Sequence, residues 1–192
     1  MNGFTKNTDL KIERKFNFLN PKMGLTYQAK NIFYYTSVAV ANKEPNRDDF
    51  EASATEQPRR EQLIDWEAGF EFKKPKYTIN ANVYYMDYKD QLVLTGKIND
   101  VGAYTRVNVP RSYRAGIELQ VKYALNKYFN SSYNITLSQN KIEEFTEYID
   151  DYDQFKQLAI PHKNTNIALS PSLTMNRIFN WKPNDKLSFF WT

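Results

Sequence analysis

Between Ala115 and Tyr123 the chain reads AGIELQVKY, which places Ala115, Ile117, Leu119, Val121 and Tyr123 on one side of an extended backbone and Gly116, Glu118, Gln120 and Lys122 on the other. A strict period of two belongs to a strand with one apolar face. The arrangement recurs along the chain. Tyr77, Ile79, Ala81, Val83 and Tyr85 alternate with Thr78, Asn80, Asn82, Tyr84 and Met86; Tyr133, Ile135 and Leu137 alternate with Asn134, Thr136 and Ser138. Ala68, Phe70 and Phe72 alternate with Glu67, Gly69 and Glu71, and Met23, Leu25 and Tyr27 with Gly24, Thr26 and Gln28. Leu187, Phe189 and Trp191 follow the same rule. Helical spacing is sustained nowhere, so the chain is predicted to be all-β and antiparallel, built of successive hairpins.

The pattern predicts about eight strands: Lys11 to Met23 running on to Gln28, Asn31 to Ala41, Leu63 to Lys73, Lys76 to Leu94, Tyr104 to Leu125, Tyr128 to Ile142, Asn166 to Trp181, and Lys186 onward. Two of these far exceed the roughly nine to eleven residues that a tilted membrane strand needs. Connections at Ala29 to Asn31, Lys73 to Lys76, Asn126 to Lys127 and Lys182 to Asp185 are short, whereas Asn42 to Gln62, Gly96 to Ala103 and Glu143 to Thr165 are long. Short turns at one end and long loops at the other are the plan of outer-membrane barrels. A soluble β-sandwich, such as a carbohydrate-binding module using exposed Tyr and Trp, would also alternate. So would a complete small barrel closed by pairing the region near Lys11 with that near Phe189. Strand length favours the large barrel. So does the polar face, which carries Asn, Gln, Thr and Gly where a solvated sandwich would carry Lys and Glu.

Composition narrows the functional classes. Of 192 residues, 41% are apolar, enough for an ordered structure, and 14 Tyr and 13 Phe suit pleated surfaces. No window reaches the roughly 18 apolar residues of a spanning helix, which leaves a membrane β-barrel open. The net charge of +4 is spread along the chain without a basic block, giving no support for nucleic-acid binding. With 0 Cys there are no disulfides, thiolate zinc sites or cysteine nucleophiles. The one histidine, His162, has no partner with which to build a metal site and is expected near the rim of the loop it ends. The N-terminal MNGFTKNTDLKIERKF lacks a secretory signal, so either the protein is cytosolic or its front end is missing.

Enzymatic signatures are lacking: there is no phosphate-binding glycine loop and no nucleophile elbow, and a carboxylate pair such as Glu143 and Glu144 is ordinary on a wet loop. No catalysis and no cofactor is expected. The stretch Glu143 to Phe155 concentrates Glu143, Glu144, Glu147, Asp150, Asp151 and Asp153. Such oxygen density could hold Ca²⁺, but the glycine-centred turn and ligand spacing of a calcium loop are missing, and a solvated acidic loop is the simpler reading.

Five segments together resemble the C-terminal barrel region of TonB-dependent outer-membrane receptors, in particular those for iron chelates. They are NPKMGLTYQ with the following YYTSVAVANKEPNRDDF, then EQLIDWEAGFEF, ANVYYMDYKDQL and SYRAGIELQ, in the family's order and spacing over most of the chain. The resemblance implies a barrel of about twenty-two strands around an N-terminal plug, located in the bacterial outer membrane, of which residues 1–192 would be one part, with the plug and final strands absent. It implies uptake of a ferric chelate or similar scarce nutrient, driven by TonB through the plug, with outer-membrane lipid as the surroundings. Arg47, Arg59, Arg60, Tyr104 and Arg106 would then face ligand from the loops, because guanidinium forks and aromatics suit carboxylate or catecholate oxygens. Ordinary loop solvation, or ion pairs with neighbouring acids, would explain the same arginines. Glu67, Glu71, Asn80, Asn82, Glu118 and Gln120 would line the lumen and bond the plug.

Overall fold

The computed structural model describes residues 13–51, 57–98 and 104–192. They form one antiparallel sheet: β1 (Lys22–Ala29), β2 (Ile32–Lys43), β3 (Glu61–Lys74), β4 (Tyr77–Ile98), β5 (Tyr104–Ala124), β6 (Phe129–Asp151), β7 (Lys156–Asn166), β8 (Leu173–Asn184) and β9 (Leu187–Trp191). One short helix, α1 (Arg47–Glu51), lies between β2 and β3. Each strand pairs with its sequence neighbour, except that β6 pairs with β7 along its far half and with β8 along its near half. The described helix is not long or apolar enough to cross a membrane.

Paired residues share a face, so the register turns the sequence alternation into rows that cross the sheet. One row runs Leu25, Thr36, Ala68, Val83, Ile117, Leu137 and Leu173. The next runs Thr26, Tyr35, Gly69, Asn82, Glu118, Thr136 and Thr174. Apolar and polar rows thus occupy opposite sides throughout. The apolar side is uncovered: Leu25 is 70% exposed, Val83 49%, Ile117 54%, Leu137 55% and Leu173 51%. A sandwich would bury these side chains against a second sheet. Here they converge on nothing, so the soluble sandwich has no support. β1 and β9 stand at opposite ends of the strand order, and among the described residues the sheet is not closed between them.

Aromatic rings mark both borders of the outward apolar band. At the short-turn end Phe72 meets Tyr77 (centroids 5.8 Å apart), Phe129 stacks on Trp181 (5.9 Å) and Trp181 on Phe189 (5.3 Å). Towards the loops Trp66 pairs with Tyr85, whose ring lies 6.0 Å from that of Tyr113. The stretch from Tyr77 to Tyr85 measures about 26 Å along the strand, close to the height of a membrane-barrel apolar band. The short turns are closed by side chains: Asn126 Oδ1 accepts from the Tyr128 and Phe129 amides, and Asn184 Oδ1 from those of Lys186 and Leu187.

Three boundaries differ from the sequence expectation. Residues 13–20 are not strand, and β1 starts only at Lys22; Lys11 lies outside the described residues. The expected loop from Glu143 to Thr165 is a hairpin, because β6 continues to Asp151 and returns as β7. This raises the strand number to nine. Acidic residues with interspersed Phe145, Tyr148 and Ile149 read as a wet loop, yet a two-stranded ribbon tolerates such a mixture on its exposed sides. Finally β8 starts at Leu173, because residues 167–172, including Pro171 and the left-handed Leu169 (φ 56), carry the chain from one half of β6 to the other.

On the inner face two glycines are filled by tyrosines from the neighbouring strand. A Cβ on Gly69 would stand 2.7 Å from the Tyr35 hydroxyl and 2.5 Å from the Ala81 carbonyl oxygen; one on Gly116 would stand 2.5 Å from the Tyr84 hydroxyl. Tyr35 pairs with Gly69 and Tyr84 with Gly116, so each ring lies across the bare backbone opposite. Gly69→Val and Gly116→Val must displace these rings. Each is expected to lower stability by about 1–3 kcal/mol, seen as an earlier midpoint in denaturant titration of the folded barrel.

Candidate ligand-facing end and inner wall

At the loop end β5 and β6 part company after Ser112 and Ile142. Beyond them β4 with β5, and β6 with β7, continue as two ribbons. Val109, Ile142 and Ile167 form a small dry cluster at the fork, with Val93 and Phe145 against it. Further out, Gln157 ties the ribbons together: its Nε2 donates to the Gly96 carbonyl (2.9 Å) and its Oε1 accepts from the Ile98 amide (3.2 Å). Gly96 has φ 82 and its Cα faces the Tyr148 carbonyl, so the ribbons approach where only glycine fits.

The connection from β2 to β3 is held down by two ionic clasps. Asn46 and Asp49 cap α1 reciprocally: the Asp49 amide donates to Asn46 Oδ1 (2.9 Å) and the Asn46 amide to Asp49 Oδ2 (2.8 Å). Asp49, only 4% exposed, also accepts a fork from Arg106 on β5, Nε to Oδ1 at 2.7 Å and Nη2 to Oδ2 at 2.6 Å. Arg59 makes the second clasp, its Nε and Nη2 donating to Asp90 Oδ1 at 3.1 and 2.6 Å. Asn108 locks the same point, accepting from the Arg59 amide (2.7 Å) and donating to the Arg59 and Asp90 carbonyls (3.0 and 2.6 Å).

The five predicted loop residues therefore divide. Arg106 and Arg59 direct their guanidinium groups at protein carboxylates. Arg47 is exposed at the start of α1, and Arg60 lies over the Phe18 ring at 5.7 Å. Tyr104 opens β5, but its side chain lies outside the described ones. A cleft of about 380 Å³ gathers Arg14, Phe16, Arg59, Arg60, Gln62, Lys89 and Asp90. Gln62 and Lys89 are paired in the same face as Trp66 and Tyr85, so this cleft opens on the outward side of the sheet. The sequence also placed Asp49 outward beside Arg47, whereas it is buried against Arg106; Asp90 and Asn108 had no sequence signal. The N-x-x-D spacing from Asn46 to Asp49 signals a helix cap; the partnership of Arg59 with Asp90 spans the fold and has no local signature.

The acidic stretch is strung along β6 and the turn after it. Asp151 Oδ1 accepts from the amides of Asp153 and Gln154 (both 3.1 Å), Glu144 meets Lys163 (3.0 Å), and Glu147 Oε2 lies 2.7 Å from His162 Nε2. Among the described residues no group of three or more acids or histidines is arranged to hold a metal. His162 sits within β7, its ring stacked 5.2 Å from Phe145.

The six predicted wall residues do share the inner face. Asn80 Nδ2 donates to Gln120 Oε1 (3.1 Å) and Gln120 Nε2 to Asn134 Oδ1 (2.8 Å), a relay across three strands. Tyr35 donates its hydroxyl to Asn82 Oδ1 (2.9 Å). Tyr35, Asn80, Asn82, Glu118 and Asn134 border a shallow depression of about 450 Å³. Glu118 is exposed, while Glu67 and Glu71 are half-buried. The wall offers amides and carboxylates to whatever occupies the inner side.

Removing the guanidinium by Arg106→Leu strands the buried Asp49 carboxylate, a change of about 3–5 kcal/mol for a broken buried pair. Proteinase K cleavage between residues 44 and 60 is expected to accelerate at least about tenfold, with partial recovery in Arg106→Lys.

A family model described as TonB dependent receptor-like, beta-barrel, matches residues 2–192. The sequence finds no match among curated proteins. Among solved structures, the siderophore receptor PirA from Pseudomonas aeruginosa superposes with a TM-score of 0.64 at 16% identity, covering 89% of this chain and 29% of that one. The ferric enterobactin receptor PfeA from Pseudomonas aeruginosa gives 0.62 at 17% identity, over 89% and 26%. The copper transporter OprC gives 0.63 at 13% identity, over 85% and 24%. The chain thus spans 24–29% of the length of these structures, and at such identities they speak for the fold. With the family model matching almost every residue, this chain belongs to the TonB-dependent receptor-like β-barrel family.

Proposed function

We propose that this chain is a wall and loop section of an outer-membrane receptor that takes up a ferric chelate or similar scarce nutrient, with a plug domain and TonB as partners of the whole protein. The observation that carries the reading is the two-sided sheet. A continuous apolar face bordered by aromatics suits lipid, and the opposite polar face suits a filled lumen. In this reading Glu67, Glu71, Asn80, Asn82, Glu118 and Gln120 meet the plug, whose polar groups would satisfy amides that the relay from Asn80 to Asn134 leaves available. The loop end captures ligand. Arg59 and Arg106 serve there by holding the connection in place, and Arg47, Arg60 and Tyr104 are the candidates for direct contact. The neighbours known as siderophore and ferric enterobactin receptors support a chelate as cargo, and the copper transporter broadens the class to other scarce metals. Uptake of this kind uses binding and release and needs no catalytic residue.

These 192 residues contain no cysteine, so within this section an introduced thiol is the one target for a maleimide and reports the topology directly. Asp153→Cys, at the tip of the hairpin of β6 and β7, is expected to react with a membrane-impermeant maleimide in intact cells. Asn126→Cys, in a short turn, is expected to react only after the outer membrane is permeabilised. Equal labelling of both in intact cells would overturn the reading. A second prediction separates the faces: Val83→Arg is expected to cost about 2–4 kcal/mol in vesicle-based unfolding, as for an arginine facing mid-bilayer, whereas Thr136→Arg on the inner face costs far less.

A further inference from the structure

Along the sequence the lysines form no block, but the hairpin topology gathers them. All four short turns lie at one end of the sheet, and each carries or is bordered by lysine: Lys30 in the first, Lys74 at the end of β3 and Lys76 in the second, Lys127 in the third, Lys186 in the fourth. All five are exposed. Among the described residues none of them forms an ion pair, and Asp185 is the one carboxylate in these turns. Lys73 and Lys122 are close by, but they pair with Thr78 on the inner face and point away from the rim. At the loop end, by contrast, cations and carboxylates are interleaved and paired, as Arg106 with Asp49, Arg59 with Asp90 and Lys163 with Glu144 show. The unbalanced charge of the fold is therefore at the short-turn rim.

The rim's position identifies its partner. It borders the aromatic girdle of Phe72, Tyr77, Phe129, Trp181 and Phe189, the level at which amphipathic rings meet lipid headgroups. Lys74 Nζ lies over the Phe72 ring at 5.8 Å and Lys127 Nζ over Tyr128 at 4.8 Å, so these ammonium groups sit at the level of the aromatic girdle. A compact ammonium on a flexible stem suits a mobile phosphate without requiring a fixed geometry. Repeated at every turn, it makes a ring of positive charge matched to a sheet of negative headgroups. We infer that the lysine rim binds the phosphates of anionic phospholipids in the leaflet at the short-turn end, giving the barrel an annulus enriched in acidic lipid and fixing its depth. The inference rests on the membrane-barrel reading above.

The test uses the receptor at its full natural length in phosphatidylcholine vesicles, with and without a minor fraction of phosphatidylglycerol. Brominated versions of each lipid in turn serve as contact quenchers of tryptophan, with Trp181 and Trp191 next to the rim. Quenching by brominated phosphatidylcholine reports insertion itself; if it is absent, the barrel reading fails and this inference with it. Given insertion, brominated phosphatidylglycerol is expected to compete about threefold or more better than phosphatidylcholine at low salt, and the preference is expected to vanish at high salt. It is also expected to fall to parity in a variant carrying Lys→Gln at 30, 74, 76, 127 and 186, whose own insertion is checked by the phosphatidylcholine quencher. Lys73→Gln with Lys122→Gln, on the inner face, is expected to leave the preference unchanged. Equal quenching by the two lipids in the natural protein, a preference surviving in the rim variant, or its loss in the inner pair would each overturn the inference.

Discussion

A strand whose side chains face hydrocarbon has no water to take over its backbone hydrogen bonds, so the pairing ladder must be complete across the apolar band. Everything else in this sheet follows from that condition. Once Leu25 is set against Thr36, and Thr36 against Ala68, the rows through Val83, Ile117, Leu137 and Leu173 are fixed. A slip of one residue anywhere would turn the row of Tyr35, Asn82, Glu118 and Thr136 outward. The cost of placing a carboxylate and an amide there makes the register effectively unique. The tyrosines over Gly69 and Gly116 tighten the specification, because each ring fits only opposite its glycine.

The two ends of the sheet use different physics. At the short turns local geometry suffices, with Asn126 and Asn184 closing their own backbones. At the loop end the chain travels far from the ladder, and order comes from a few long-range polar contacts. The fork from Arg106 to Asp49 is the strongest of them, because the carboxylate is buried and served by both arms of the guanidinium and by the Asn46 amide. In the proposed receptor, a loop held this way presents a defined surface before ligand arrives, which lowers the ordering cost of capture.

The alternation made the strands, their two faces and the inner wall residues legible in the sequence, because a period of two is a local property that the ladder simply preserves. Strands β4 and β5 were found to within four residues: Lys76 to Leu94 and Tyr104 to Leu125 were expected, and Tyr77–Ile98 and Tyr104–Ala124 are observed. The hairpin of β6 and β7 was not legible, since acidic residues crowd the outer part of β6 and the ribbon is braced through Gln157 against Gly96 and Ile98, 61 and 59 residues away. The roles of Arg59 and Arg106 were open for the same reason. Whether a loop arginine faces solvent or a carboxylate depends on contacts 31 and 57 residues away along the chain, which no local pattern encodes. The lysine rim is a third case, invisible in linear charge distribution and created only by the topology.

The change of partner along β6 has a consequence for how such receptors can diversify. The near half of β6 is paired with β5 and β8, while its far half pairs as a strand only with β7, and the break at residues 167–172 separates the two ladders. Insertions or deletions in the outer hairpin therefore need not propagate into the strand stagger that sets a barrel's diameter and tilt. The hairpin behaves as an exchangeable cassette. Its length and chemistry can drift while the wall beneath, with its outward apolar face, stays fixed by the strand ladder.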